Sequence, residues 1–411
     1  MPGLDHVKQS VRADADLCVK CGLCLPHCPT YALTGREAES PRGRIALLQH
    51  LAEQQDDLSD PSLATAVDHC LSCRACESVC PARVPYGRLF DNGQTLLASR
   101  APQRLSRLRL RGGLLHRPRL RLGLLRLLWL LQRIGLLRAL QRALRNRSPG
   151  RWLQRLPRLR WPRDPRHEAA GTHCDVAIFS GCLGDSADHE AVGALRRLLD
   201  AAGYHCAVPR GQGCCGALEA HGGDAEAAES ALAHSAPAFT GARYIVPVAS
   251  GCAAWVADAT AASPTAAPPL RAQLTSAWEL LAARASSLSW VQTAERVAVW
   301  TACTQRNRLR DDAAMLALLE QVPGATVQRL PAGMRCCGAA GMHFLDEMQR
   351  ADTLVAPIVD ALAEHPPAML LCANVGCRLH IDAALRRAGL AIPVRHPAEW
   401  LAERLQDSVV G

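Results

Sequence analysis

The chain has 411 residues, 49% of them apolar, enough for two or three domains with cores of their own. No apolar run approaches the ~20 residues that span a bilayer. The net charge is +9 but uneven: Arg100 to Arg163 hold 19 arginines and no acid, leaving 28 basic against 38 acidic residues elsewhere, a net of −10. That basic stretch holds only three aromatic residues, Trp129, Trp152 and Trp161, and no DNA-binding motif or helix-turn-helix order, so no nucleic-acid partner is expected. Residues 1 to 10 lack the apolar centre of a secretory signal, so a cytoplasmic location is expected. In a reducing compartment, clustered cysteine reads as metal or redox chemistry rather than disulfides.

The first cluster is "CVKCGLCLPHCP", where Cys18, Cys21, Cys24 and Cys28 form C-x2-C-x2-C-x3-C-P. This run wraps a cubane iron–sulfur cluster: three thiolates ligate one cube and the fourth ligates another. The run recurs at Cys70, Cys73, Cys76 and Cys80, again followed by proline. Two copies predict exchanged fourth ligands. Cys18, Cys21, Cys24 and Cys80 are expected to hold one 4Fe–4S cluster, and Cys28, Cys70, Cys73 and Cys76 the other. Structural zinc, which usually takes four ligands from separated pairs, is the weaker alternative. Between the runs, Ile45, Leu47, Leu48 and Leu51 recur at helical spacing, and "LATAVDHC" reads the same way. Strand patterns are scarce, so residues 1–99 predict a helical two-cluster ferredoxin domain rather than a β-containing one.

Residues 100–168 are leucine and arginine. Arg126, Arg133, Leu137, Leu140 and Leu144 suit an amphipathic helix, and Pro149, Pro157, Pro162 and Pro165 then break the pattern into a linker. Beyond residue 168, short apolar runs alternate with helical ones. "CDVAIFSGC", "YHCAVP" and "ARYIVPVASGC" read as strands around two helices, and "RVAVWTAC", "ATVQRLP" and "AMLLCANVGC" repeat the order. This βαβ alternation predicts α/β domains with parallel strands over 169–290 and 291–411. The chemistry repeats too. Cys182, Cys214, Cys215 and Cys252 answer to Cys303, Cys336, Cys337 and Cys377 at offsets of 121, 122 and 125 residues, which predicts a duplicated module. Each set follows a predicted strand, where α/β folds build their sites. The two sets are candidate third and fourth metal sites, for a further iron–sulfur cluster or zinc. Cys174 and Cys206 read as buried thiols, and so does Cys372, whose alternative is a substitute ligand.

Taken together, "CVKCGLCLPHCPTYALTGREAESPRGRI", "CLSCRACESVCPARVPY", "GCCGA", "CCGAAG" and "NVGCRLH" resemble the iron–sulfur subunits of bacterial glycolate oxidase. More broadly they resemble the heterodisulfide-reductase-related proteins with two CCG cysteine-rich domains. The resemblance covers nearly the whole chain in order and defines the arginine–leucine stretch least. It implies a ferredoxin domain followed by a duplicated CCG module, and an FAD-containing dehydrogenase partner that oxidises a 2-hydroxy acid and hands its electrons on towards quinone. The chain departs from the fuller CCG motif, which ends C-x2-C. Here Ala249 and Asn374 stand at the first of those positions, leaving four motif cysteines per half. That puts the noncubane cluster of fuller relatives in doubt. The resemblance also marks His380, for which a bond to a cluster sulfur or a quinone and a structural role are the alternatives.

No Walker loop or Ser–His–Asp pattern is found, and the G-x-G-x-x-G at Gly211, Gly213 and Gly216 is taken up by the paired cysteines Cys214 and Cys215 of the CCG motif. The sequence therefore predicts an electron-transfer subunit, not a catalyst alone. The partner is the flavoprotein, the acceptor a quinone, and peripheral membrane contact through the basic stretch is a further expectation. The alternatives are a disulfide-reducing catalytic subunit of the heterodisulfide reductase type, a subunit for lactate or glycerol 3-phosphate oxidation, and an iron or redox sensor.

Overall fold

A computed structural model describes residues 2–53, 61–144, 152–158, 161–166, 168–169, 173–262, 270, 273–331, 333 and 335–406. By contact, the chain divides into two compact units, 1–113 with 216–231 and 114–215 with 232–411.

The first unit is helical, and no strand occurs among its described residues. Helices Pro2–Asp16, Pro41–Glu53, Pro61–Asp68 and Tyr86–Arg100 pack around Val11, Leu48, Leu51, Val67, Leu89 and Phe90. The predicted apolar stripe is the buried one, with Leu47 only partly covered. Helix Pro102–Leu115 follows. The segment 216–231 packs into this unit although the sequence order places it in the first cysteine-rich module. Arg109 Nε donates to Asp224 Oδ2 (2.5 Å) and His221 Nδ1 meets Asp91 Oδ1 (2.8 Å).

The second unit carries two parallel sheets. Strands β1 (Cys174–Phe179), β2 (Cys206–Ala207) and β3 (Ala242–Pro247) lie in the order β2-β1-β3. Strands β4 (Arg296–Val299), β5 (Thr326–Arg329), β6 (Met369–Leu371) and β7 (Val394–Arg395) lie in the order β5-β4-β6-β7. The matched registers, Ile178 opposite Val246 and Val299 opposite Leu371, place the strands that precede the cysteine loops at the centre of each sheet. Parallel strands need crossover helices on their faces, and burial on both sides makes them near-continuous apolar runs. One core runs through both halves, joining Val176, Ile178, Trp278, Val297, Leu371 and Trp400.

The expected amphipathic arm is two helices here, Pro118–Arg133 and Leu136–Ala143, because Gly135 turns left-handed with φ of 79°. Residues 145–147 of that expectation lie outside the described residues. Part of the basic charge is internal. Arg121 is buried in an ion pair with the fully buried Asp185, which Arg166 also approaches at 3.3 Å, and the buried Arg155 Nη2 donates to Asp352 Oδ2 at 2.6 Å.

Two buried histidines make this unit acid-sensitive. Burial pushes His380 down to about 4 and His396 down to about 3. Unfolded, each titrates near ~6.5. Below that value the unfolded chain binds protons that the native chain refuses. Stability is therefore complete above ~6.5 and falls with pH towards the folded values, by roughly 2 kcal/mol per histidine at pH ~5. The urea midpoint should drop between pH ~7.5 and ~5, and H380Q should recover about half of the drop. A flat midpoint across that window would contradict this reading.

Candidate metal centres

In the helical unit the structure brings the two cysteine runs together. A small apolar cavity is lined by Cys18, Cys21 and Cys24 of the first run and by Cys76 and Cys80 of the second. Cys73, Cys70, Cys28 and Cys24 all act electrostatically on Cys76. Thiols of the two runs thus mix, as an exchange of fourth ligands requires. The loops are held in shape locally. Lys20, Ser72 and Arg74 all adopt positive φ, which turns the chain sharply between the cysteines. Cys28 is 6% exposed, with its Sγ 3.3 Å from Thr30 Oγ1 and directed at the Glu39 carbonyl (3.8 Å).

Two side chains beside the second trio are not legible in the cysteine spacing. Arg44 is 1% exposed, donating from Nε to the Ala66 carbonyl (2.8 Å) and from Nη1 to Thr30 Oγ1 (2.9 Å). Burial works against its charge, but Cys70, Tyr86, Cys28 and Glu39 around it outweigh burial and hold its pKa above the ordinary value. Tyr86 places its hydroxyl 3.5 Å from Cys70 Sγ. A buried guanidinium and a phenol next to thiolates compensate the negative charge that a thiolate-bound cluster brings. His69 lies beside Cys70 in sequence, with its Nδ1 3.1 Å from Glu39 Oε1.

In the α/β unit each half repeats one construction. Cys182 follows β1, Cys214 and Cys215 sit in the Gly216 loop, and Cys252 opens the helix Ser250–Ala262 after β3. Cys303 follows β4, Cys336 and Cys337 precede Gly338, and Cys377 opens the helix Val375–Arg387 after β6. Both glycines are left-handed, with φ of 83° and 81°. A Cβ on Gly216 would come within 2.6 Å of the Ala228 carbonyl oxygen, so glycine is required there. Gln212 fastens the first site: its Oε1 accepts from Ser180 N (2.8 Å) and its Nε2 donates to the Ile178 carbonyl (3.1 Å). Trp255 Nε1 donates to the Cys215 carbonyl at 2.8 Å. In the second site Arg306 Nη2 donates to the Arg335 carbonyl (2.9 Å), and Gly338 N donates to Cys336 Sγ (3.4 Å). A π-helical turn, Gln305–Leu309, leads away from Cys303, a feature that recurs at functional sites.

The thiols converge. Cys215 Sγ and Cys252 Sγ are 3.1 Å apart, and Cys337 Sγ and Cys377 Sγ 3.0 Å apart. A disulfide is ~2.05 Å long, and all 19 cysteines are free thiols. Hydrogen bonding from Cys214, then burial, pushes Cys182 well up; Cys336 and burial do the same to Cys303. Thiols crowded and buried in this way resist ionising on their own. A metal centre that takes them as thiolates reverses that balance, so the donor sets fit iron–sulfur clusters or zinc.

The two halves differ around the last cysteine of the motif. Cys372 is fully buried and within hydrogen-bonding reach of Cys377, whereas Pro247 occupies the matching place in the first half. Asn374 and Ala249, at the positions where the fuller motif has cysteine, also differ in role. Asn374 caps its helix, accepting from Cys377 N (3.2 Å), and its Nδ2 donates to Ser250 Oγ (3.2 Å). Ser250 Oγ is in turn 2.9 Å from Thr304 Oγ1, next to Cys303. A chain of three polar side chains thus links the two cysteine sites. Cys174 and Cys206 lie buried in β1 and β2, away from this chemistry. His380 is fully buried, with its Nε2 3.2 Å from the Ala351 carbonyl and its ring against Phe344, the geometry of a structural histidine.

Comparison with known families agrees with this geometry. Residues 14–84 match the 4Fe-4S dicluster domain, and residues 176–257 and 297–382 each match the cysteine-rich CCG domain. The chain is an iron–sulfur protein that joins a dicluster ferredoxin domain to a duplicated CCG module. Its resemblance to the glycolate oxidase iron–sulfur subunits spans nearly the full length. It is 29% identical to the probable glycolate oxidase iron-sulfur subunit of Bacillus subtilis (strain 168), covering 94% of this chain and 93% of that one. It is 28% identical to the glycolate oxidase iron-sulfur subunit of Escherichia coli (strain K12), covering 98% of each. Lactate utilization protein A of Bacillus cereus (strain G9842) is 27% identical over 56% of this chain and 99% of its own.

Proposed function

We propose that this chain is the electron-transfer subunit of a flavin-dependent 2-hydroxy-acid dehydrogenase, with glycolate as the leading substrate, passing electrons towards quinone. The observation that supports this reading is the coexistence of two cysteine runs brought together in the helical unit with two further cysteine quartets on the α/β module. In the proposal Cys18, Cys21, Cys24 and Cys80 hold one 4Fe–4S cluster, and Cys28, Cys70, Cys73 and Cys76 the second. Cys182, Cys214, Cys215 and Cys252, and Cys303, Cys336, Cys337 and Cys377, hold further centres. Bound clusters supply one-electron steps, whereas oxidation of a hydroxy acid releases two electrons together. The full-length likeness to glycolate oxidase subunits supports glycolate over lactate, whose relative matches only part of the chain. The isolated chain should not oxidise glycolate or lactate in a dye-reduction assay. Co-expression with an FAD-containing dehydrogenase subunit should confer the activity. Turnover by the isolated chain, or reduction of a disulfide in place of electron transfer, would favour the catalytic alternative.

The same reading places the protein in the cytoplasm, with peripheral contact at the membrane's inner face. No described helix is long and apolar enough to cross a membrane. Helix Pro118–Arg133 supports the contact: Leu120, Leu124, Leu127 and Leu130, with Ile134 beyond its end, are exposed along one face, and Arg119, Arg126 and Arg133 are exposed beside them. Basic residues near an anionic surface contribute about 1 kcal/mol each, screened by salt. The protein should sediment with anionic liposomes at low salt and be released at high salt. Binding indifferent to both salt and lipid charge would rule this contact out.

A further inference from the structure

Besides its cysteine sites, the α/β unit contains a cavity of about 200 Å³. Both halves build it. Pro247 at the end of β3, Ala373 just beyond β6 and His396 just beyond β7 place it at the carboxyl ends of the strands, where open α/β sheets bind ligands. Ser250 and Ala253 line it and flank Cys252 on one helix, and Ala373 adjoins Cys372. The cavity wall and Cys252 therefore share the first turn of one helix.

Its lining is selective. Trp278, Leu195, Leu274 and Leu309 give apolar walls, with the Trp278 and His396 rings stacked at 5.8 Å. Asp311 is 6% exposed; its Oδ2 accepts from Ser276 Oγ at 2.6 Å, while its Oδ1 makes no well-formed hydrogen bond. The nearby Gln305 amide donates from Nε2 to Met315 Sδ (3.4 Å) and also bears on the Asp311 carboxyl by hydrogen bonding. His396 Nδ1 accepts from Ala398 N, so its Nε2 carries the proton, on the side of the Val248 backbone that the ring also bonds. Glu279 stands exposed at the rim, and no lysine or arginine lines the cavity. A site with two carboxylates and no cation disfavours an anionic hydroxy acid. It suits an uncharged, flat, largely apolar molecule whose oxygens accept hydrogen bonds.

We propose that this cavity binds the head group of a quinone, and that Asp311 and His396 are its hydrogen-bonding partners. The proposal rests on the electron-transfer reading above. Reduction of the quinone to its quinol takes two electrons, delivered singly from the neighbouring cysteine sites. It also takes two protons, drawn from solvent past Glu279 by way of Asp311. Burial raises the Asp311 carboxyl above the ordinary range, consistent with its holding a proton in transit.

The test uses the full chain with its clusters and a short-tailed azidoquinone as photolabel. Label is expected within residues 247–257, 274–279 and 309–311. A257W, which fills the cavity with an apolar side chain, should weaken quinone binding at least tenfold with iron content and visible absorption unchanged. If A257W loses iron, A257L and D311N carry the same comparison. Label confined to other segments, or equal affinity in all these variants, would overturn the proposal. The reading beneath it is tested separately, by mixing the chemically reduced chain with the quinone. Reoxidation that is equally fast in wild type and A257W sinks the cavity and leaves electron transfer standing. A wild-type chain that the quinone does not reoxidise and the flavoprotein does not reduce sinks both.

Discussion

Replacing Cys28 with serine should abolish the cluster of Cys70, Cys73 and Cys76 and spare the one nearest to it in sequence. The expectation follows from where the thiol lies. Cys28 is buried beside Thr30 and the Glu39 carbonyl. It shares the surroundings of Arg44 with Cys70 and adjoins Cys76. Cys18, Cys21 and Cys24 line a cavity with Cys80 and Cys76. A serine oxygen is a poor substitute for a thiolate on iron. Iron in a ferredoxin fragment ending near Arg100 should fall by about half, with one of two paramagnetic signals lost. C80S should remove the other signal. Loss of both signals in each variant would mean a single shared centre, and stoichiometric zinc without iron would overturn the assignment.

The second large effect is expected in the α/β unit. In the complex with the flavoprotein, C215S or C337S should leave flavin reduction by the hydroxy acid intact and slow the onward step by about tenfold or more. Each of these thiols lies about 3 Å from the helix-borne cysteine of its site, 3.1 Å for Cys215 to Cys252 and 3.0 Å for Cys337 to Cys377. Each is also presented by a loop whose glycine cannot be replaced without strain. Removing one leaves the remaining thiols crowded and buried without a full donor set. Stopped-flow traces at flavin and cluster wavelengths separate the two steps. An equal slowing of flavin reduction would place these residues at the hydroxy acid instead.

What was legible in the sequence was the chemistry with fixed spacing. A cubane cluster dictates the interval between its cysteines, so the doubled run named the dicluster domain that residues 14–84 match. The paired CCG motifs named the duplication, and the βαβ order named parallel sheets. Less legible was whatever depends on distant partners. Strand β7 is two residues between Pro393 and Pro397, too short to show a period. The basic stretch reads as amphipathic helix that docks on a membrane, a partner or the protein's own acidic surface; Gly135 divides it, and Arg121 and Arg155 pair with Asp185 and Asp352. Arg44 and Tyr86 carry no motif, and only the packed helices bring them to Cys70. Cys372 reads as a strand residue from sequence and proves to be both buried in the core and beside Cys377. The cavity around Asp311 draws on segments more than 100 residues apart, from Leu195 to His396, and has no signature in any one of them.

The central claim is that this chain relays electrons it does not itself extract. Anaerobic rapid mixing of the purified complex with glycolate tests it most directly. The account predicts that flavin absorbance bleaches first, that the cluster absorbance of this chain follows, and that added quinone restores the clusters. Clusters that stay oxidised while the flavin turns over, or an isolated chain that bleaches on glycolate without the flavoprotein, would contradict it.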